Sequence, residues 1–320
     1  MKECVIIPAY RRQPWLYCCI KRIREQDPKI PIYVFSDRGE PVPFLHVYRD
    51  ELKAKLIVQP IHHFHGNSWN AGTALRFAYN MGYELITYIE EDTMAKPDLL
   101  AWTREMHSEL DESMNIFCTC GWVFNYHMPF CDDNYLVPWI YFPQFSITRQ
   151  KLELLLPHLN YEYFADMDKY LMENFPENAL NKLYPQCCHT EIDGLAQRVL
   201  MQSRTQVCWC ATPKVRHCGP VGYNRGWEGM DAFFEGCPSF EDKVDRVEAF
   251  IADPYWRATM MEKSHVEREE GRKLDDRMFH YKLSFDGWST EFESSLDRRR
   301  LPKRIHSVDV PAHAEVQLIT

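Results

Sequence analysis

Glu90, Glu91 and Asp92 stand side by side directly after the apolar run Leu85-Ile86-Thr87-Tyr88-Ile89. Such a run reads as a strand buried on both faces, so the three carboxylates would crowd together at its end. Like charges placed that way repel one another unless a cation joins them. Carboxylate oxygens without paired thiols suit Mg2+ or Mn2+, ions that keep several waters and bridge to substrate phosphates. The plainer alternative is a solvated turn whose negative charge favours the start of the helix expected from about Pro97.

The elements that would position this cluster can be read from the alternation of patterns. Residues 3–9, ECVIIPA, form a continuous apolar run suited to a buried strand. Residues 13–26 place Trp15, Leu16, Cys19, Ile20 and Ile23 at helical spacing, with Lys21, Arg22 and Arg24 opposite. Further strands are expected at 31–36, 56–59, 84–89 and 116–120, with a helix over 69–82 that gathers Ala71, Ala74, Leu75, Ala78 and Met81 on one face. Strands alternating with helices imply βαβ units and an α/β fold built on a mostly parallel sheet. In such sheets ligands bind beyond the carboxyl ends of the strands. Three of those ends are polar: Pro8-Ala9-Tyr10-Arg11, Ser36-Asp37-Arg38-Gly39 and Glu90-Glu91-Asp92.

Composition narrows the function classes. The chain has 320 residues, 45% of them hydrophobic and 26% charged, which is ordinary globular usage. The 37 Lys+Arg against 46 Asp+Glu give a net charge of −9, which argues against broad affinity for DNA. No apolar run approaches the roughly 18–20 residues of a membrane span, and the short run after Met1 is too brief for a signal segment, so the expectation is a cytoplasmic protein that engages no membrane. No Gly-x-Gly-x-x-Gly follows a strand and no Gly-x4-Gly-Lys-Ser/Thr is present, which excludes a dinucleotide fingerprint and a P-loop. The 12 cysteines read as reduced core thiols. The group Cys187, Cys188, His189, Cys208, Cys210, His217, Cys218 and Cys237 lacks the paired Cys-x2–4-Cys spacing of a structural zinc site.

With these elements in order, the chain resembles the GT-A fold glycosyltransferases, over roughly residues 3–226. VIIPAYRR is similar to their opening strand, and VFSDRG to their second strand with its nucleoside-contacting Asp. NSWNAGTALRFAYNMGYELITYIEEDTMAKPDLLAW resembles their N-x-G…A-x-N-x-G helix followed by the D-x-D metal motif, and IEEDTMAKPDLL is especially similar to the Glu-Asp-Asp form of N-acetylglucosaminyltransferase I and its relatives. YFPQFSITRQKLELLLPHL (141–159) resembles the antiparallel strand and helix under the acceptor site, and TEIDGLAQRVL (190–200) the x-E-D motif that opens a helix. TQVCWCATPKVRHCGPVGYNRG (205–226) resembles the last strand and the loop that often carries a metal-binding His.

The resemblance implies a GT-A (Rossmann-like), mostly parallel sheet flanked by helices over residues 1–226, with 1–120 as the nucleotide-sugar half and 121–226 as the acceptor half. It implies an inverting, Mn2+- or Mg2+-dependent transfer from a nucleotide sugar, in the simplest case UDP-linked. Asp92 would be the metal ligand and His217 a second one, with a core or phosphate-contacting His as the alternative reading of His217. Glu90 and Glu91 would act from behind the metal or through water. Asp37 would contact the nucleoside, walled by the backbone of Pro8, Ala9 and Tyr10. Arg76 would either approach the diphosphate or be an exposed helix charge. The acceptor's base would be Asp193, with Glu191 close behind. The family's adjacent Glu-Asp is here Glu191-Ile192-Asp193, and residues two apart on a helix point about 200° apart, so only one can face the sugar. The plain alternative is that both cap the helix.

Residues 227–320 lie beyond this core and read as an aromatic-rich, mainly helical extension, with Val244, Val247, Phe250 and Ile251 on one apolar face. The basic run Asp297–Arg304 reads as a solvated tail. His62, His63 and His65 fall in a polar loop and receive no role. The acceptor is left open among a metabolite, a glycan precursor, a protein and hydroxymethylated pyrimidines in DNA, the last requiring base extrusion. From another class, a non-catalytic nucleotide-sugar-binding relative would explain the altered x-E-D motif. A nucleotidyltransferase, which would share the fold, lacks here its glycine-rich N-terminal loop.

Overall fold

The computed structural model describes residues 1–37, 40–58, 66–109, 115–121, 134–137, 140, 142–178, 191–210, 213–218, 232–252 and 305–307. The expectations for His62, His63, His65, Cys187, Cys188 and His189 lie outside these residues. The chain divides into two compact units, Met1–His217 with Arg299–Val308, and Cys218–Arg298 with Asp309–Thr320.

In the first unit, β1 (Glu3–Ala9), β2 (Ile32–Ser36), β3 (Ala54–Val58) and β4 (Leu85–Ile89) run parallel, in the order β3-β2-β1-β4. Every residue of β2 and of β4 is buried, as the unbroken apolar runs require. Helix α1 (Gln13–Gln26) links β1 to β2, with Trp15, Cys19, Ile20 and Ile23 on its buried face and Pro14 in its first turn, where a missing N–H costs nothing. Two short helices, α2 (Phe44–Val47) and α3 (Arg49–Leu52), lead to β3. The chain then returns through α4 (Gly66–Asn80) to lay β4 on the other side of β1. The strand order therefore reverses between β1 and β4. At such a switch point the crossovers diverge and leave a crevice outside the carboxyl ends of the strands.

The sheet continues beyond β4. After β5 (Thr93–Ala95) and α5 (Leu99–Glu109), strand β6 (Ile116–Cys120) enters the sheet. With β7 (Asn134–Val137), β8 (Gln144–Thr148) and β9 (Gln206–Cys210) the order extends as β4-β8-β6-β9-β7. β8 is antiparallel to both β4 and β6, and β7 is antiparallel to β9, while β6 and β9 are parallel. The mostly parallel α/β sheet expected from the sequence is thus present, with antiparallel members in its second half. The segment 149–174 is helical: α6 (Arg149–Leu155), a 3-10 turn at Leu156–His158, α7 (Tyr161–Ala165) and α8 (Met167–Asn174). Then α9 (Ile192–Gln202) buries Leu195, Ala196, Val199 and Leu200. Strand β10 (Val215–His217) pairs antiparallel with β5 in a separate two-stranded ribbon. In the second unit, α10 (Phe240–Ala252) buries Val244 and Val247 and begins with a reciprocal cap in which Ser239 and Asp242 bond each other's backbone N–H. Phe233 packs on Phe234 and Phe250 there, at 5.0 and 5.4 Å between ring centres.

The sheet also contributes β11 (Ile305–Ser307), parallel to β7 at one edge. The sequence gives no strand signal there, because three residues are too few to show a period. The eight buried cysteines among the described residues, Cys4, Cys18, Cys19, Cys118, Cys120, Cys208, Cys210 and Cys218, are free thiols, as the core reading expects.

A polar seam crosses the sheet beneath the crevice. Thr87 and Ser146 share a hydroxyl hydrogen bond of 2.9 Å, and Gln144 accepts the Gly121 N–H at 2.6 Å. His107 reaches the Ser146 carbonyl at 3.2 Å and the Thr119 hydroxyl at 3.3 Å, and burial lowers its pKa to about 4. A histidine that must stay neutral in the folded chain stabilises it fully above its unfolded pKa, and that contribution is lost as pH falls from about 6.5 to about 4. Stability measured by denaturant titration should therefore fall across that window, and His107→Gln should flatten this part of the pH profile; an unchanged slope would show that His107 does not carry it. Gly121 accepts both Lys214 N–H and Val215 N–H, at 2.8 and 3.2 Å, and a Cβ there would come within 2.7 Å of Gln144 Oε1 and 3.0 Å of Leu99. Gly121→Ala should cost about 1–3 kcal/mol of stability through overpacking, and equal urea midpoints for variant and wild type would refute this.

Candidate active site

The crevice at the switch point receives side chains from β1, β4, β10 and α9. β4 ends at Ile89, and the backbone leaves the sheet there, with the Glu90 N–H bonded to Pro143 O and the Thr93 N–H to Glu90 O, both at 2.9 Å. The tight turn sends the three carboxylates in different directions. Glu91 turns toward β1, where its Oε2 accepts the Tyr10 N–H at 2.9 Å. Asp92, 1% exposed, is held on both sides. Its Oδ2 accepts from the Arg12 guanidinium, and its Oδ1 lies 3.3 Å from His217 Nε2. Half-buried Glu90 completes the group: ligand atoms of Glu90, Asp92 and His217 all lie within 4.8 Å of one another.

Pairing explains how His217 arrives there. Thr93, next after Asp92, is opposite His217 in the β5–β10 ribbon. The ribbon is itself fixed by the carbonyl of Gly121, so a residue 125 positions from Asp92 in sequence is brought to its side by backbone bonds alone.

Burial acts unequally on the three acids. Burial would raise Asp92, but the charges of His217 and Arg12 override it and hold the carboxyl well below the usual carboxylate range. Burial pushes Glu91 well above that range, with only partial relief from Arg12. Burial and the Asp92 charge push Glu90 up to about 7. Burial also works against the Arg12 charge, but Asp92, Glu91 and Glu90 outweigh it and raise its pKa. The three acids therefore differ in how strongly each is held ionised, Asp92 most and Glu91 and Glu90 less.

The two carboxylates of α9 separate as the helix geometry requires. Glu191 is the exposed N-cap residue and makes no capping bond with its side chain. Asp193 is half-buried, and its Oδ1 accepts the Gly194 N–H at 2.7 Å. The Asp193 charge contributes to raising the Tyr88 phenol, after burial and Glu90, and is the smallest of the influences on Glu90. Glu191 is raised by burial and then by Asp193, and with Asp193 it acts on Tyr163. The start of α9 is docked on α4 by the Ile192 N–H, which donates to the Ser68 hydroxyl at 3.1 Å.

The other expected residues lie as follows. Pro8 and Ala9 are buried at the end of β1, and half-buried Tyr10 follows them. Asp37 is 4% exposed at the end of β2, adjacent in the sheet to β1. Arg76 takes the second of its two readings, an exposed charge on α4. Its guanidinium donates to Leu156 O and Leu159 O at 2.9 and 2.6 Å, tying α4 to the 3-10 turn. At 1.5 Å per residue it lies about 15 Å along α4 from the crevice end, too far along to meet a diphosphate there. Glu91 differs as well, since it ties β1 to β4 instead of standing with Glu90 behind the metal position.

Two residues were missed from sequence. Arg12 is the charged neighbour of Asp92, and Arg11-Arg12 reads there as an ordinary basic pair. The distinguishing feature is conformational: Arg11 has φ 65, a left-handed turn that sets Arg11 on Glu40 at 2.9 Å and sends Arg12 inward. Tyr88 is fully buried, stacked on Phe145 at 4.9 Å, and its hydroxyl has no hydrogen-bond partner among the described residues.

No protein-family model matches the chain, and no curated protein matches it. Among solved structures, the chain overlaps a mannosyltransferase of Pyrobaculum calidifontis in complex with GDP-Man and Mn2+ at 15% identity, covering 85% of this chain and 76% of that one, with a TM-score of 0.41. It overlaps S. aureus TarS 1–349 in complex with UDP-GlcNAc at 12% identity, over 94% and 83% of the two chains, with a TM-score of 0.44. The galactosyltransferase LgtC, in complex with donor and acceptor sugar analogs, overlaps at 10% identity, over 80% and 99%, with a TM-score of 0.40. Among the described residues no helix is long and apolar enough to cross a membrane.

An unpaired buried hydroxyl carries a desolvation penalty without the bond that offsets it. Tyr88→Phe should therefore leave the melting temperature unchanged or raise it, while a loss beyond about 1 kcal/mol would reveal a partner for that hydroxyl.

Proposed function

We propose that the chain is a GT-A-type, cation-dependent glycosyltransferase that moves a sugar from a nucleotide sugar to an acceptor hydroxyl, with inversion at the anomeric carbon. The observation that carries this reading is the convergence of Glu90, Asp92 and His217 at the switch point of the sheet. The residues fit a divalent cation on two counts. Asp92 Oδ1 is buried 3.3 Å from His217 Nε2, itself one of the ligand atoms, and two carboxylates with one imidazole form a hard, slightly nitrogenous donor set. That set suits Mn2+ better than Mg2+, which prefers oxygen alone.

A cation held by Glu90, Asp92 and His217 would supply the positive charge that neutralises the leaving diphosphate. The remaining tasks belong to the chain. Asp37 and the backbone of Pro8, Ala9 and Tyr10 hold the nucleoside at the ends of β2 and β1. Asp193 accepts the acceptor hydroxyl's proton as that oxygen bonds to the anomeric carbon. The bond from that carbon to the diphosphate oxygen breaks, and its electron pair departs with the nucleoside diphosphate. One base on the acceptor side, opposite the leaving group, gives inversion. Asp193 is preferred to Glu191 because it matches the residue type of the expected base and is half-buried where Glu191 is exposed.

The test is nucleotide release over a panel of UDP-, GDP- and other nucleotide sugars with Mn2+, for wild type, Asp92→Ala, Asp193→Ala and Glu191→Ala. Asp92→Ala should lose Mn2+-dependent donor binding. Asp193→Ala should still bind the donor yet lose transfer by about 10²–10⁴-fold, the usual worth of a general base. An active Asp193→Ala beside an inactive Glu191→Ala would move the base to Glu191. Tight nucleotide binding with no turnover on any acceptor pool would make the chain a binding protein instead.

A further inference from the structure

The cluster contains a cation of its own. Arg12 donates to Asp92 Oδ2, and its side chain is only 18% exposed. It enters from the N-cap position of α1, whose first turn carries no acidic side chain, so its charge is answered by the β4 acids rather than by its own helix. Its hold on Asp92 is strong, because a guanidinium-to-carboxylate bond away from water is among the stronger hydrogen bonds available to a protein.

That hold conflicts with the proposed cation. Asp92 is the carboxylate that Arg12 holds, and a divalent ion held by Glu90, Asp92 and His217 would need that same carboxylate. A guanidinium and a divalent ion on the same carboxylate repel each other, and little water is present to screen them. A nucleoside diphosphate changes this balance. It brings negative charge and oxygen pairs whose geometry a planar guanidinium matches. Arg12 has little distance to cover, since it stands at the end of β1 beside the backbone of Tyr10, where the donor would enter.

We propose that Arg12 is a resident counter-ion that occupies Asp92 in the donor-free protein and yields it to the cation when a diphosphate takes over the guanidinium. The inference rests on the cation-dependent reading above. It makes Arg12 a positioning residue that couples cation binding to donor binding. The cation alone binds weakly, because it must displace Arg12. With the diphosphate present the displaced charge has a new partner, and each ligand strengthens the other, as coupled sites must.

The experiment measures Mn2+ binding to the full chain by the paramagnetic resonance signal of the free ion, without nucleotide, for wild type, Arg12→Gln, Arg12→Lys and Asp92→Asn. Arg12→Gln should bind Mn2+ about tenfold more tightly than wild type, within the usual span of coupling between sites. Arg12→Lys, which keeps the charge, should stay near wild type, and Asp92→Asn should bind poorly. With Mn2+ saturating, Arg12→Gln should weaken UDP or GDP about tenfold while leaving uridine or guanosine unaffected, since only the diphosphate engages the guanidinium. Mn2+ affinity unchanged or reduced in Arg12→Gln would overturn the proposal and leave the cation site standing. An equal gain in Arg12→Lys would overturn it as well, because competition by charge would not be the cause. No Mn2+ uptake by wild type, with or without UDP or GDP, would overturn the cation site itself and this proposal with it. If Arg12→Gln does not fold, Arg12→Lys still decides. Mass spectrometry after acylation should find its introduced amine protected in the free protein and exposed by Mn2+ with UDP or GDP, and protection unaltered by these ligands would refute the exchange.

Discussion

A carboxylate with no access to water must be paired, and the pairing of Asp92 organises the first unit. Transferring an unpaired carboxylate into the interior is prohibitive, so Asp92 at 1% exposure demands its counter-charges in fixed places. Arg12 supplies one from the end of β1, and His217 faces the other oxygen from β10. The chain is therefore tied together at three points far apart in sequence. Loss of register between β1 and β4, or between β5 and β10, would leave a buried anion without its partners. That penalty falls on misfolded alternatives more heavily than on the native arrangement, and in this sense a polar group specifies the fold.

The sheet delivers these partners by ordinary means. β1 and β4 are parallel neighbours with the register Glu3 to Leu85 and Ile6 to Tyr88, so their ends emerge together and Tyr10 meets Glu91. β8 then runs antiparallel beside β4 and brings Pro143 to the Glu90 N–H. Strand ends in a parallel sheet leave backbone groups unpaired as the chain departs. Here those groups are met by a glutamate and a neighbouring carbonyl, which stiffens the turn that carries the acids. Stiffness matters for any ligand site, because residues that need no rearrangement bind with less entropic loss.

Much of this was legible from sequence, for physical reasons that differ by element. β1, α1 and the strand before the acids were legible because doubly buried strands and one-sided helices leave strong periods; β1 and α1 fall on the expected residues. The position of the acids at a strand end followed from the same patterns. Their division of labour did not, because adjacent residues in a tight turn can point anywhere. Arg12 was illegible for a related reason, since only the left-handed backbone at Arg11 distinguishes the inward arginine from the outward one. Arg76 stayed open between two readings because a helix read for its face does not show how far along it a residue lies from the crevice. His217 lies across an antiparallel ribbon of three residues, too short for any pattern, and only resemblance pointed to it.

The inequality among the acids also bears on why two centres are needed. A base must keep its lone pair while a neighbouring site gathers positive charge, and a base inside the cation group would be drawn onto the cation. Asp193, as the proposed base, would avoid this by its element. It starts α9, docked on α4 through Ser68, and is tethered to its own backbone at Gly194. It acts on Glu90 through space without standing among the three ligand residues. A proposed base at a helix start and proposed cation ligands at strand ends would stand on separate elements of the fold.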